Sequence, residues 1–441
     1  MTAPSFDRIL RGGTVLLPWG EWAETDLGIT AGRIASLAAP ADAAGETIDL
    51  AGLTVLPGII DPHVHFRDPG DGTVETLESG TRGAVLGGVT TIFDMPNTSP
   101  AIASAHTIAL KADSVPGRAW CDVGFYVGAT RANTPDLAGF EQHPGVAAIK
   151  VFAGSSTGDL MIEDDPGIEA VLRSGHRRVA FHSEDEYRLQ ARRNQFRLGD
   201  PYACHAEWRD PECAILATSR IVALAAKTGR AVHILHVSTA QEFAFLAEHR
   251  AEASAEVLVN HLSQAAPEVY ERLGGYAVMN PPLRDQSHVD AAWAAVGDGR
   301  VDTIASDHAP HSRAAKERPW PTCASGLTGV QTLLPIMLNH ASAGRITLPR
   351  LADAMAVGPA RLYGLRNKGR IAVGFDADFT VVDLKARRRI ENAAMASRCG
   401  WTPFDGLWVT GWPIMTVVRG RVVMRDGAVL GAPEGALVTF T

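Results

Sequence analysis

Two textures divide the chain. Between residues 54 and about 365, short apolar runs alternate with loops and with segments of helical periodicity. The candidate strands are 54–60, 89–93, 121–127, 146–151, 178–182, 231–236, 256–260 and 302–305, with helical segments such as 212–228 and 240–250 between them. Eight strands separated by helices is the rhythm of a (β/α)8 TIM barrel. A doubly wound open sheet would give a similar pattern, but no Gly-x-Gly-x-x-Gly follows the first strand. Outside this range the texture is strand-turn-strand, around residues 8–17 and 25–35 at one end and 374–383 and 416–427 at the other. Two unrelated β-rich tails would leave many unpaired strand edges. The expectation is therefore a small β-sandwich formed by residues 1–53 and 366–441, with a barrel of residues 54–365 inserted between its halves.

Composition narrows the class without changing the architecture. The 441 residues are 46% hydrophobic and 20% charged, as in a soluble protein with a large core. A net charge of −8 argues against binding nucleic acid or an anionic membrane surface. No uncharged apolar run approaches the roughly 20 residues that span a bilayer. The N-terminus has no basic segment followed by an apolar one, so no signal peptide is expected. The five cysteines are scattered, odd in number and without a Cys-x-x-Cys pair, which suits reduced thiols in the cytoplasm.

The chemistry gathers at strand ends. His63 and His65 stand two apart after the first run, and alternation along a strand points both to one side, as in a chelating pair. Lys150 sits near the end of strand 4, His182 closes strand 5, His236 closes strand 6, and Asp307 follows strand 8. Each has a plainer reading. A lone histidine such as His182 is more often a hydrogen-bonded core residue, Asp307 could cap a helix, and Lys150 could reach to solvent. His233, three before His236, falls on the other strand face. Barrel enzymes, however, build their sites at the C-terminal edge from several strands at once, and five strands contribute here. Lys150 is the odd member, because an ammonium beside metal cations is repelled. It becomes sensible as a neutral amine carboxylated by CO2, an anionic bridge between two divalent metals that would hold a hydroxide and polarise a carbonyl. With imidazole and carboxylate ligands and no thiolate, zinc is the expected metal, with manganese, cobalt or iron as alternatives.

These motifs resemble the amidohydrolase superfamily over nearly the whole chain, and within it the dihydroorotases. The resemblance implies that His63, His65, carboxylated Lys150, His182, His236 and Asp307 ligate two metal ions. His65-Phe-Arg67-Asp-Pro-Gly resembles that family's first motif, which makes Arg67 a grip on the substrate carboxylate. Asp94-Met-Pro-Asn97 and Asn280-Pro-Pro-Leu-Arg resemble the segments supplying two substrate-binding asparagines, and Ser306-Asp307-His-Ala-Pro-His311 places His311 near the same carboxylate. An Arg and a His beside a metal site suit an anionic small molecule. The implied reaction is reversible hydrolysis of dihydroorotate to N-carbamoyl-aspartate in pyrimidine synthesis, with Asp307 shuttling the proton. Similar proteins are often homodimers or homotetramers. The rival readings are a dihydropyrimidinase/hydantoinase or allantoinase, and, from a different class, an inactive scaffold subunit.

Two positions depart from the family pattern. Leu258-Val-Asn-His261 stands where Thr-Pro-His-His is usual, and Gln331 stands where a glutamate is more usual. Residues 312–325, with their charges and two prolines, read as a surface loop over the site.

Overall fold

A computed structural model describes residues 6–40, 44–155 and 160–441. The first five residues, on which the reading of the N-terminus partly rested, lie outside them. Eight parallel strands follow one another in chain order around a barrel: Ile59–Val64, Val89–Asp94, Asp122–Gly128, Val146–Phe152, Val179–His182, Val232–Ile234, Ala253–Leu258 and Thr303–Ala305. They are called barrel strands 1 to 8. Their residues are buried without alternation, as expected of parallel strands covered on both faces. Strands 1 and 8 meet through a parallel bridge between Val64 and His308, and the Ser306 amide donates to Asp61 Oδ1 at 3.1 Å.

The intervening helices start where the sequence supplies caps. Thr239 and Glu242 form a reciprocal capping box for Ala240–Glu248, and Asp210 caps Pro211–Thr228, whose end is set by Gly229 in the left-handed conformation.

A second, nine-stranded sheet combines both chain ends. Strand Thr54–Pro57 lies at its centre, parallel to Phe6–Leu16 and antiparallel to Phe379–Arg389. Leu10, Leu27, Ile29, Ile34, Val55, Phe379, Val381 and Met415 share its core, and Gly374 and Ala377 hydrogen-bond back to Ile34 and Gly32. The two sheets are fastened by Lys368, whose ammonium lies 2.8 Å from Asp122 on barrel strand 3 and 2.6 Å from Asp378 beside the second sheet.

The structure corrects the expected elements in four places. The run 54–60 is two strands: Thr54–Pro57 belongs to the second sheet and Ile59–Val64 to the barrel. Hydrophobicity is continuous across the change of sheet, and only Gly58 marks it. A Cβ there would meet Thr90 Oγ1 at 2.3 Å and Asp378 Cβ at 2.8 Å. Strand 6 stops at Ile234, so His236 lies beyond it. Strand 7 is Ala253–Leu258, and Asn260 falls on the short helix Val259–Ser263. Finally, segment 312–325 is more than a surface loop: Lys316 and Trp320 are buried within it. The Lys316 ammonium donates to the carbonyls of Val278, Ala324 and Gly326 at 2.7–2.9 Å, which uses all three of its N–H groups.

Candidate metal centre

At the C-terminal mouth of the barrel one cavity is lined by His63, His65, Lys150, His182, His236 and Asp307, together with Arg67, Asn97 and Asn280. All six expected ligands and three of the four expected substrate contacts are therefore brought together.

Two histidines face one carboxylate. His63 Nε2 and His65 Nε2 lie 3.3 and 3.1 Å from Asp307 Oδ1. Their other nitrogens are engaged, His63 Nδ1 with Glu256 Oε1 at 2.7 Å and His65 Nδ1 with Asn97 Oδ1 at 2.6 Å. Each acceptor holds the proton on Nδ1, leaving the Nε2 lone pair toward the cavity. The second pair repeats the design for one ring only, since His236 Nδ1 meets no hydrogen-bond partner among the described residues. His182 Nδ1 and His236 Nε2 converge at 3.0 Å, while His182 Nε2 turns to Glu184 Oε2 at 2.9 Å, and Glu184 pairs with buried Arg209. His63 and His236 join the two pairs, with ring centres 5.4 Å apart.

Electrostatics favour the forms a metal needs. Burial lowers His65 to about 4 and also lowers His182 and His236, so these imidazoles are neutral at neutral pH, the form that can ligate a metal. Although burial works against it, His63 and His65 hold the Asp307 carboxyl down to about 2. Lys150, on barrel strand 4, is 1% exposed, with its Nζ 4.5 Å from the Phe152 ring centre. Burial lowers it to about 7, against the pull of Asp307 and Glu256. Neutral imidazoles, an ionised carboxylate and an amine brought close to losing its proton at neutral pH form a donor set that fits divalent cations.

Backbone geometry aims three of these side chains. Arg67, His236 and Asp307 have φ of 57°, 41° and 47°, a region that non-glycine residues seldom occupy. Each stands just past a barrel strand, where the chain turns away and the side chain points back into the mouth. Arg67 is largely buried, burial lowers its guanidinium to about 10, and its Nη1 meets no hydrogen-bond partner among the described residues. Outward of it, Arg67, Asn97 and His311 line a second, wider chamber with residues 98–101. His311 thus stands outside the inner cavity, with Nε2 on the Ser325 carbonyl at 3.0 Å.

Several contributors were not singled out from the sequence. Glu256 is fully buried, and against the cost of burial His63 and His233 hold it to about 2; a lone acid inside an otherwise apolar strand was its signal. Glu184 and Arg209 are separated by 25 residues, and no local pattern pairs them. His233 is a core residue, as its strand face suggested, bonded to Ser254 Oγ at 2.7 Å. At the departures, His261 Nε2 lies 3.2 Å from the Pro281 carbonyl. Gln331 donates to the Ala394 carbonyl and accepts from the Ala396 amide, both at 2.8 Å. An ionised glutamate could accept but not donate, which accounts for glutamine here. A second acidic cluster, Asp122, Asp376 and Asp378, surrounds the Lys368 ammonium and needs no metal.

The sequence profile of the amidohydrolase family matches residues 54–423. The chain belongs to the amidohydrolase family. It is 37% identical over 383 residues to a dihydroorotase of Halobacterium salinarum, covering 86% of this chain and 88% of that one. An allantoinase of Deinococcus radiodurans is 32% identical, with 98% of this chain and 99% of that one covered. Among solved structures, the L-hydantoinase (dihydropyrimidinase) of Arthrobacter aurescens superposes with a TM-score of 0.93 at 27% identity, covering 98% of this chain and all of that one. The barrel with its accompanying sheet is thus the amidohydrolase arrangement.

Proposed function

We propose that this amidohydrolase is a dihydroorotase, opening and closing the cyclic amide between dihydroorotate and N-carbamoyl-aspartate in pyrimidine synthesis. The observation that carries this reading is Arg67: a guanidinium held beside the ligand set with a hydrogen-bonding nitrogen unspent. A charged donor left in such a cavity suits an anionic substrate group, and the relatives named dihydroorotase support the same choice. His311, across the outer chamber, is the second carboxylate contact.

His63, His65, His182, His236 and Asp307 would hold two divalent cations, zinc by donor type, with Lys150 carboxylated between them. Bound there, such cations supply Lewis acidity and a water acidic enough to attack at neutral pH. Lys150 supports the carboxylation because burial brings its amine down to about 7, so that a neutral fraction is present near that pH. Asp307 takes the proton of the attacking water as the C–O bond forms at the ring amide carbonyl. It returns that proton to the ring nitrogen as the C–N bond breaks; in ring closure it takes the ureido proton instead. Arg67, Asn280 and His311 orient the substrate, and Asn97 reaches it while holding His65.

A neutral cyclic ureide, the alternative suggested by the allantoinase and hydantoinase relatives, would offer Arg67 Nη1 no anionic group. The complete ligand set counts against an inactive scaffold subunit. The deciding experiment is turnover of dihydroorotate by metal-assayed protein, with hydantoin, dihydrouracil and allantoin alongside. Dihydroorotate turnover with about two metals per chain is the expected result, and turnover of a neutral ureide alone would discard the substrate.

A further inference from the structure

A chain of hydrogen bonds runs from segment 312–325 into the metal cavity. Trp320, a buried residue of that segment, places its indole Nε1 3.2 Å from His205 Nδ1. His205 sits on the short helix Cys204–Trp208, and its Nε2 lies 2.9 Å from Asn280 Oδ1 and 3.0 Å from the Met279 carbonyl. Phe196 and Trp208 pack edge-on against Trp320 and fix its plane.

The direction of each bond follows from the first. An indole N–H can only donate, so His205 Nδ1 must accept and Nε2 must carry the proton. A protonated Nε2 facing both a carbonyl and Asn280 requires the amide of Asn280 to turn its oxygen toward it. The Asn280 NH2 is then left for the cavity that Asn280 lines. Reversing the amide would set two donors against each other.

We infer that Trp320 and His205 are positioning residues that fix Asn280 as a hydrogen-bond donor to a substrate oxygen, and so help select the substrate. The inference rests on the dihydroorotase reading. It gives segment 312–325 a role in the site through a relay that touches no ligand.

The test compares His205→Phe, which keeps a ring without N–H groups, with His205→Gln, which keeps an N–H near the ε position. Trp320→Phe and Asn280→Asp complete the set. In His205→Phe and Asn280→Asp the KM for dihydroorotate rises about tenfold, the scale of one lost hydrogen bond, with kcat changed less and metal content intact. His205→Gln stays within about threefold of wild type, and Trp320→Phe falls between. Wild-type turnover is measured first, so absence of dihydroorotase activity discards the reading itself. Unchanged KM in folded His205→Phe or Trp320→Phe would overturn the relay, as would losses that track metal content. If His205→Phe does not fold, Trp320→Phe and Asn280→Asp decide alone: a KM rise in both supports the relay, and an unchanged KM in either overturns it.

Discussion

Glu256 Oε1 lies 2.7 Å from His63 Nδ1, and both side chains are sealed from solvent. The carboxylate therefore sets the tautomer of His63, an expected metal ligand. Replacing it with glutamine keeps the volume but offers the ring either a donor or a weaker acceptor. Glu256→Gln should weaken metal affinity about 10–100-fold, read by chelator competition, with dihydroorotate KM in metal-saturated enzyme near wild type.

Arg67 is where substrate charge is tested. Arg67→Met removes the free guanidinium and should raise KM for dihydroorotate about 10–100-fold, the range of a hydrogen bond to a charged group. Any residual activity on uncharged hydantoin should stay near its wild-type level. Equal losses on both substrates would assign Arg67 a structural role instead.

Asp307 faces both histidines of the first pair and carries the proton in the proposed reaction. Asp307→Asn should lower kcat at least about 100-fold when metal content is matched by reconstitution. Near-normal turnover with metals retained would exclude the shuttle.

Glu184 offers a pH test of the buried network. Against the cost of burial, Arg209 and His182 hold its folded value near 2, from a usual 4.5. The folded state thus binds that proton less readily than the unfolded one. Its contribution is full above about 4.5, and it is lost as pH falls toward 2. In metal-free protein, Glu184→Gln should be less stable than wild type by about 3 kcal/mol at pH 6. The gap should shrink as unfolding is followed down to pH 3.

Gln331 is expected to be structural. Gln331→Glu loses the donor to the Ala394 carbonyl and should cost about 1 kcal/mol by denaturant titration. Steady-state constants should hold.

What the sequence disclosed follows the range of the forces involved. Barrel strands and the residues lining the cavity were legible because each is written locally: an apolar run sets a strand, and a polar residue at its end is conspicuous. His63, His65, Lys150, His182, His236 and Asp307 all appear that way. The division at Gly58 was not, because burial in one sheet or the other demands the same apolar side chains. Pairings such as Glu184 with Arg209, or Trp320 with His205, depend on distant segments meeting, and neither residue type announces its partner. Lys316 misled for a related reason. A lysine in a charged, proline-bearing stretch suggests solvent, yet three backbone carbonyls can replace water around its ammonium.

The single glycine between the two sheets has a consequence for biosynthesis. Strand Thr54–Pro57 leads directly through Gly58 into the strand that carries His63, but its antiparallel neighbour Phe379–Arg389 is translated more than 300 residues later. A ribosome that has finished the barrel has not yet delivered the strand that steadies its first entrance. Metal uptake by the nascent chain should therefore lag behind completion of the barrel and await emergence of residues 379–389.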